Sequence, residues 1–134
     1  MTKEEIIEAL RTSAKTNETY YLSDEIKQAL LQYSNPVEFV EPILEIIGTN
    51  PNVDFGMPGD LVRFVESFYK KGYEELLISS VRKNPTAHNI WMVHRCFNDI
   101  KNPLHDEFKS LIEAIRDDTS VTAEIKNVID EFSW

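Results

Sequence analysis

The sequence has 134 residues, of which 42% are hydrophobic and 28% are charged, with a formal net charge of −9 at pH 7. This length and composition predict a single globular domain, residues 1–134, and exclude a disordered chain. No apolar run approaches the roughly 18 to 20 residues of a membrane span, the first residues lack a signal-peptide core, and the single Cys96 excludes an internal disulfide. We therefore expect a cytoplasmic protein.

The negative charge is concentrated in one part of the chain. Residues 18–66 contain nine acidic and two basic residues, whereas residues 67–101 contain three acidic and six basic residues. An acidic segment repels phosphate backbones and attracts basic proteins. We predict a basic protein partner, with neither nucleic acid nor membrane as a ligand. The alternative interpretation is that the charge only keeps the protein soluble.

Apolar residues recur with the helical period along nearly the whole chain, and no alternation of period two is long enough to predict a strand. Thr2 and Glu5 form a capping-box pattern before a first helix, and Ser23 is placed to cap a second. A third helix is predicted from Pro36 to Ile47. Pro42 should kink or divide this helix, and Gly48 should end it.

The second half of the chain continues the same pattern. Gly72 is predicted to end the fourth helix, and Thr86 to cap the sixth, whose apolar line is Ile90, Val93, Phe97 and Ile100. The predicted helices of this half are Pro58–Lys71, Tyr73–Lys83, a helix that follows Thr86, Pro103–Asp117 and Ser120–Phe132.

The predicted fold is all-α, with about eight short helices in antiparallel pairs. From Pro36 onward the pairs begin near residues 36, 73 and 103, a spacing typical of stacked helix-pair repeats. We expect a short α-solenoid. An irregular helical bundle is the alternative, because it would give the same apolar stripes.

Two strings, "DFGMPGDLVRFVESFYKKGYEELLISSVRKNPT" and "NIWMVHRCFND", together with the helix-pair spacing, carry a resemblance. The spacing resembles irregular HEAT-like repeat proteins, and the strings, within residues 50 to 100, are similar to small bacterial immunity proteins of secreted polymorphic or contact-dependent toxins. The resemblance implies a protein that binds a cognate toxin domain in the cytoplasm, often a nuclease, and blocks it.

The glycine-rich loop at residues 50–59 does not match a phosphate-binding motif. Gly56, Gly59 and Gly72 fit neither the dinucleotide fingerprint nor the Walker loop, and Asp60 puts negative charge where a phosphate would bind. We predict a bend between two helices, with Pro58 starting the second. No cofactor is expected.

The histidines and the cysteine do not have metal-ligand spacing. His88 and His94 are six residues apart, so a helix turns them to different faces, and Cys96 is expected to be a packed thiol. We expect no metal site, no catalytic residues and no enzymatic activity. An enzyme whose residues meet only in three dimensions stays an alternative, as does an adaptor for an endogenous protein.

Seven residues are candidates for partner binding. Carboxylates in the acidic segment would steer a basic partner, and a polar stripe on the sixth helix would contact it, with the second helices of the pairs lining one surface. Trp91 has an alternative role, since it would also fill the seam between repeats. The candidates are Asp54, Asp60, Arg63 and Glu66 before residue 67, and Trp91, His94 and Asn98 on the sixth helix.

Overall fold

The residues that the structure describes form eight α-helices and one short 3-10 turn. The computed structural model describes residues 1–16 and 18–134. Within these residues, no helix combines the length and the apolar character that crossing a membrane requires. The helices are α1 (Lys3–Thr16), α2 (Asp24–Gln32), α3 (Val40–Thr49), α4 (Asp60–Glu66), α5 (Tyr73–Lys83), α6 (Ala87–Phe97), α7 (His105–Asp117) and α8 (Ala123–Asp130).

Three predicted helix starts are confirmed by their side-chain caps. The Thr2 N–H donates to the Glu5 carboxylate and the Glu5 N–H donates to the Thr2 hydroxyl, both at 3.1 Å. The Ser23 hydroxyl accepts from the third residue of α2, and Thr86 forms a capping box with Asn89. These bonds satisfy backbone donors that have no partner inside the helix, which fixes where each helix begins.

The predicted third helix is divided before Pro42 rather than at it. Pro36–Phe39 form the 3-10 turn, and α3 begins at Val40. Pro42 lies in the first turn of α3, where a backbone N–H would have no intrahelical partner, so the proline leaves the helix intact. Gly48 does not end the helix either. It is buried inside α3, where an added Cβ would lie 3.3 Å from the Cβ of Asn84.

Two predictions for residues 58–100 are wrong in detail. The fourth helix begins at Asp60 and ends at Glu66, and residues 67–72 form turns instead of continuing it. Lys70 and Gly72 have positive φ angles of 62° and 102°, which a helix cannot contain. Ile100 is 76% exposed and follows α6, so it is no part of that helix's apolar line.

In the described residues, the helices form four consecutive pairs, here called helical hairpins. The two helices of each hairpin are in contact, α1 with α2, α3 with α4, α5 with α6, and α7 with α8, and α6 also contacts α7 of the next hairpin. The first helices of successive hairpins also contact each other, α1 with α3, α3 with α5, and α5 with α7. The predicted all-α fold is confirmed, and its HEAT-like character stays a prediction. Extended pairing in the described residues is limited to one isolated bridge, between Thr19 and Asp54.

Helix α3 is the centre of the hydrophobic core. It contacts α1, α4, α5 and α6 as well as the 3-10 turn. Its apolar side chains therefore face neighbours on almost every side, whereas the other helices bury one stripe each. The buried residues of α3 are Val40, Ile43, Leu44, Ile46, Ile47 and Gly48.

A buried polar network fixes the two turns that flank α5 and α6. Glu74 and Asn102 are each 4% exposed. The Glu74 carboxylate accepts from the Lys70 N–H at 2.8 Å and from the Asn102 amide at 3.1 Å. The same amide donates to the Tyr69 hydroxyl, which donates to Asp99 at 2.8 Å. Because buried polar groups are costly when unpaired, this network holds both turns in one arrangement.

The loop between α3 and α4 is held by backbone hydrogen bonds. The Tyr20 N–H donates to the Asp54 carbonyl at 2.7 Å, and the Asp54 N–H donates to the Glu18 carbonyl at 2.8 Å. The Asp54 carboxylate also accepts from the Gly56 N–H, and Gly56 has a φ of 87°. At Gly59 an added Cβ would overlap the carbonyl oxygen of Phe55. The glycines therefore allow the tight bend that the sequence predicts.

We expect Gly59→Ala to lower the free energy of unfolding by about 3 kcal/mol, because the new methyl group would overlap the carbonyl oxygen of Phe55 and force the backbone to move. The matched control is Gly72→Ala, which meets no atom within 4 Å but has a positive φ. Its cost is expected to be about 1 to 2 kcal/mol. Urea denaturation of both variants measures the two free energies. An equal or smaller loss for Gly59→Ala would contradict the close approach.

Candidate functional site

An open groove lies between α2 and α4. Its cavity has a volume of about 270 Å³. Apolar side chains form most of its surface, and charged groups border them. The apolar residues are Leu22, Leu30, Leu31 and Phe64, and the polar ones are Lys27, Asp60, Arg63 and Ser67.

A second cavity of about 280 Å³ adjoins the first. The two share Leu22, Asp60 and Arg63. The second cavity is also lined by residues of the segments 19–20 and 54–59, and these two segments are joined by the backbone hydrogen bond from Tyr20 to Asp54. The two cavities together form one continuous groove, which we call the α2/α4 groove. It contains three of the predicted partner-binding residues, Asp54, Asp60 and Arg63.

The charges along the α2/α4 groove are only partly compensated. Lys27 and Asp60 form an ion pair across it, with 3.5 Å between Nζ and Oδ1. Among the described residues, neither Asp54 nor Arg63 has an ion-pair partner, and both are exposed. Glu18 is also exposed and lies beside Asp54 through their shared backbone hydrogen bond. The second cavity is thus lined by one carboxylate, Asp54, and one guanidinium, Arg63, that have no ion-pair partner among the described residues.

Exposed apolar side chains occur in the groove and in the chain segments that form it. In the described residues, five large hydrophobic side chains are exposed, and three of them belong to the groove or to segments that form it. Leu31 is 57% exposed in the first cavity, Met57 is 71% exposed in the loop, and Tyr21 is 67% exposed next to Leu22. Apolar surface gathered around a concavity is typical of an interaction site.

Glu66 lies outside the groove and faces α6. Its two carboxylate oxygens accept from Nε and Nη2 of Arg95 at 2.6 and 2.8 Å. The hydrogen bond to Glu66 raises the pKa of Arg95, and the guanidinium also lies 4.9 Å from the centre of the Trp91 ring. Arg95 therefore compensates much of the negative charge of Glu66, which weakens the attraction of Glu66 for a basic partner. Its role as a steering residue stays a prediction.

The three candidates on α6 do not form one open stripe. Trp91 is half-buried between Arg95 and His88. The His94 ring stacks on Phe132 with centroids 4.6 Å apart and touches Trp134 edge-on, so the C-terminal segment packs against it. Asn98 is exposed at the end of α6.

The link between α4 and α6 is made by other residues. The sequence predicts that the second helices of the pairs line one surface, which would place the α6 stripe beside the candidates of α4. Of those candidates, Glu66 contacts α6, through Arg95. The participation of Trp91, His94 and Asn98 in binding stays a prediction.

His88 connects the glycine loop to α6. Its ring lies 5.7 Å from that of Phe55 and 5.3 Å from that of Trp91. Its Nε2 atom is buried and has no hydrogen-bond partner among the described residues. Burial lowers the pKa of His88, and the negative charge of Asp54 opposes this shift in part. The imidazole is therefore neutral at physiological pH.

Cys96 is packed, as the sequence predicts. It is 3% exposed, and burial raises the pKa of its thiol to about 12. A thiol with so high a pKa is almost fully protonated near neutral pH and is a poor nucleophile. Within residues 1–16 and 18–134, no group of three or more His, Cys, Asp or Glu side chains is placed to hold a metal ion.

Several groove residues are absent from the sequence-based candidates. Leu22 and Leu30 belong to the apolar stripe of α2 and also line the groove, although Leu30 is only 1% exposed. Leu31 carries the clearest signal that sequence reasoning missed, because it lies off that stripe. Met57, between a glycine and a proline in a loop, is a second such apolar residue with no helical stripe to join.

No family model, curated protein or solved structure matches this chain.

We expect the pKa of His88, followed by NMR titration of its ring protons, to lie below the ordinary value of about 6.5. Asp54→Asn should lower it further, because the variant removes the opposing charge while it keeps the side-chain oxygen that bonds to Gly56. A folded-state pKa above about 6.5, or a higher pKa of His88 in the Asp54→Asn variant than in the native protein, would show that the assigned surroundings of His88 are wrong.

The same shift predicts a pH dependence of stability. A histidine with a depressed folded pKa stabilises the fold above its unfolded pKa, and this contribution is lost as the pH falls through the folded pKa. Unfolding in urea from about pH 7.5 to about pH 5.5 should show a steeper loss of stability for the native protein than for His88→Gln.

Proposed function

We propose that this chain is an immunity protein, a non-enzymatic cytoplasmic protein that binds a cognate toxin domain and blocks it. The partner is a basic domain, most concretely a nuclease. The observation that carries the proposal is the α2/α4 groove, which combines apolar side chains, among them the exposed Leu31, with Asp54, a carboxylate that has no ion-pair partner among the described residues. The resemblance of residues 50–100 to bacterial immunity proteins supplies the class of partner.

The apolar part of the groove supports protein binding. Protein interfaces combine an apolar centre, which is desolvated on binding, with a polar rim. Leu31, Phe64 and Leu22 provide such a centre, and Lys27, Asp60 and Arg63 border it. Large exposed hydrophobic side chains are costly to hydrate, so covering them is favourable.

The acidic segment supports a basic partner. Of its nine acidic residues, three have an ion pair: Glu38 with Lys3, Asp60 with Lys27, and Glu66 with Arg95. Among the described residues the other six have none within 4 Å. Unpaired surface carboxylates produce a field that accelerates association with a positive surface. The free carboxylates are Glu18, Asp24, Glu25, Glu41, Glu45 and Asp54.

The proposed mechanism is occlusion. A nuclease active site is lined by basic groups that hold the phosphate backbone. A protein surface with carboxylates around an apolar anchor point covers such groups and competes with the substrate. No chemical step by this chain is needed, because inhibition follows from occupancy.

The proposal is tested by co-expression with the C-terminal domain encoded by a secreted-toxin gene directly upstream. We expect this chain to restore growth to cells that produce the domain and to co-purify with it. The catalytic consequence is checked by assaying the purified domain with and without one equivalent of this chain. Loss of growth despite expression of both proteins, with no co-purification, would overturn the immunity function.

We expect the combined substitutions Glu18→Lys and Asp60→Lys to slow association with that domain by roughly tenfold at low salt. The rate should also become less dependent on salt between about 20 and 200 mM. Stopped-flow or surface-plasmon measurements give both quantities.

The matched control carries the same change of charge far from the groove, Glu107→Lys with Glu113→Lys on α7. Both of these residues are exposed, so the control separates local steering from net charge. Equal slowing by the two pairs would remove the electrostatic part of the proposal.

The packing of helical hairpins in chain order also favours a helical-repeat adaptor that binds an endogenous protein. The adaptor would use the same groove. The presence of a secreted-toxin gene upstream favours immunity, and its absence favours the adaptor.

A further inference from the structure

The two cavities of the α2/α4 groove differ in chemistry. The first has four apolar residues, and its two nearest opposite charges, Lys27 and Asp60, are paired with each other. The second is lined by Asp54, Asp60 and Arg63, together with residues of the segment 19–22 and of the glycine loop. Moving along the groove therefore adds one carboxylate, that of Asp54, to the charges that border the apolar surface.

The size of the first cavity limits what fits it. Its volume of about 270 Å³ is slightly smaller than the roughly 300 to 1,000 Å³ of pockets that hold small organic ligands. It is open to solvent along the exposed side of Leu31. A side chain that projects from a protein segment fits such a depression better than a free cofactor, since the remainder of the segment runs along the groove.

Arg63 is placed to hold the main chain of such a segment. It lines both cavities, and no described residue forms an ion pair with it. A guanidinium has five N–H donors and accepts no hydrogen bond, so carbonyl oxygens of a bound main chain are suitable partners. Asp54 and Asp60, in contrast, have only acceptor oxygens to offer at neutral pH.

We propose that the α2/α4 groove binds a protein segment that carries an aliphatic side chain followed by a lysine or arginine. The aliphatic side chain lies against Leu31 and Phe64, and the cation lies against Asp54 and Asp60. This inference rests on the proposed function for the basic character of the partner. It adds which part of that partner is recognised and by which residues.

The probe is a capped synthetic peptide of about 12 residues that combines leucines and lysines in a polar background. We expect it to shift the backbone NMR signals of Leu30, Leu31 and Phe64 more than those of α7 and α8. Two control peptides replace either the lysines with glutamate or the leucines with serine. Both are expected to bind more weakly by about fivefold or more.

Two matched pairs of protein variants locate the binding. Leu31→Lys should weaken binding of the leucine–lysine peptide by about fivefold or more, whereas Ile100→Lys, at another exposed aliphatic residue, should not. Asp60→Asn should weaken it, whereas Asp106→Asn should not. Asp60 and Asp106 are both exposed and lie in the first turns of their helices.

The inference is overturned if the peptide does not bind at millimolar concentration, if the glutamate peptide binds equally well, or if both members of a variant pair behave alike. These outcomes are distinct from failure of the proposed function. A peptide that binds in the groove while co-expression fails to restore growth would remove the immunity function and leave the groove specificity in place. Restored growth without peptide binding would leave the immunity function in place and remove the groove specificity.

Discussion

Burial of α3 on nearly every side is the constraint on which the arrangement of the other helices depends. An aliphatic helix exposed to water would lose the free energy gained by covering its side chains, so neighbours must surround it. Helix α4 packs directly on α3, and α2 is held by α1 and the 3-10 turn, both of which contact α3. Gly48 lets α3 approach the end of α5 closely, near Asn84. The two walls of the groove are thus positioned by a helix that does not line the first cavity.

Rigid loops complete the site. The glycine loop is bonded to residues 18–20 through its backbone, and its bend needs Gly56 and Gly59 at positions where a side chain is strained or sterically excluded. In the turns that precede α5 and follow α6, Glu74 and Asn102 form buried hydrogen bonds that hold the backbone. In both cases polar groups of the loop form hydrogen bonds with other protein groups, and these bonds replace hydrogen bonds to water. Binding residues on such loops keep their positions because few other arrangements satisfy the same bonds.

Ion pairs divide the acidic residues into two groups. Asp60 and Glu66 join helices to each other, α4 to α2 through Lys27 and α4 to α6 through Arg95. Exposed pairs of this kind contribute about 0 to 1 kcal/mol each to stability, so their main effect is on local geometry and on the charge that a partner meets. The field of the acidic segment therefore depends on residues such as Asp54, whose carboxylate has no cationic group of the described residues within 4 Å. Counting carboxylates along the sequence overestimates that field, because the count ignores pairing.

The sequence alone determined that the chain is helical and where three of its helices begin, because those signals are local. Apolar periodicity and the caps at Thr2, Ser23 and Thr86 act within a few residues, and the structure begins these helices where the signals lie. It also determined the bend at residues 50–59 and the net charge. Only the tertiary structure decided which side chains meet: that Asp54, Asp60 and Arg63 share a groove with Leu31, and that the C-terminal segment covers His94. These contacts join residues far apart in the chain, and their formation depends on how helices pack around α3. No local pattern encodes that arrangement.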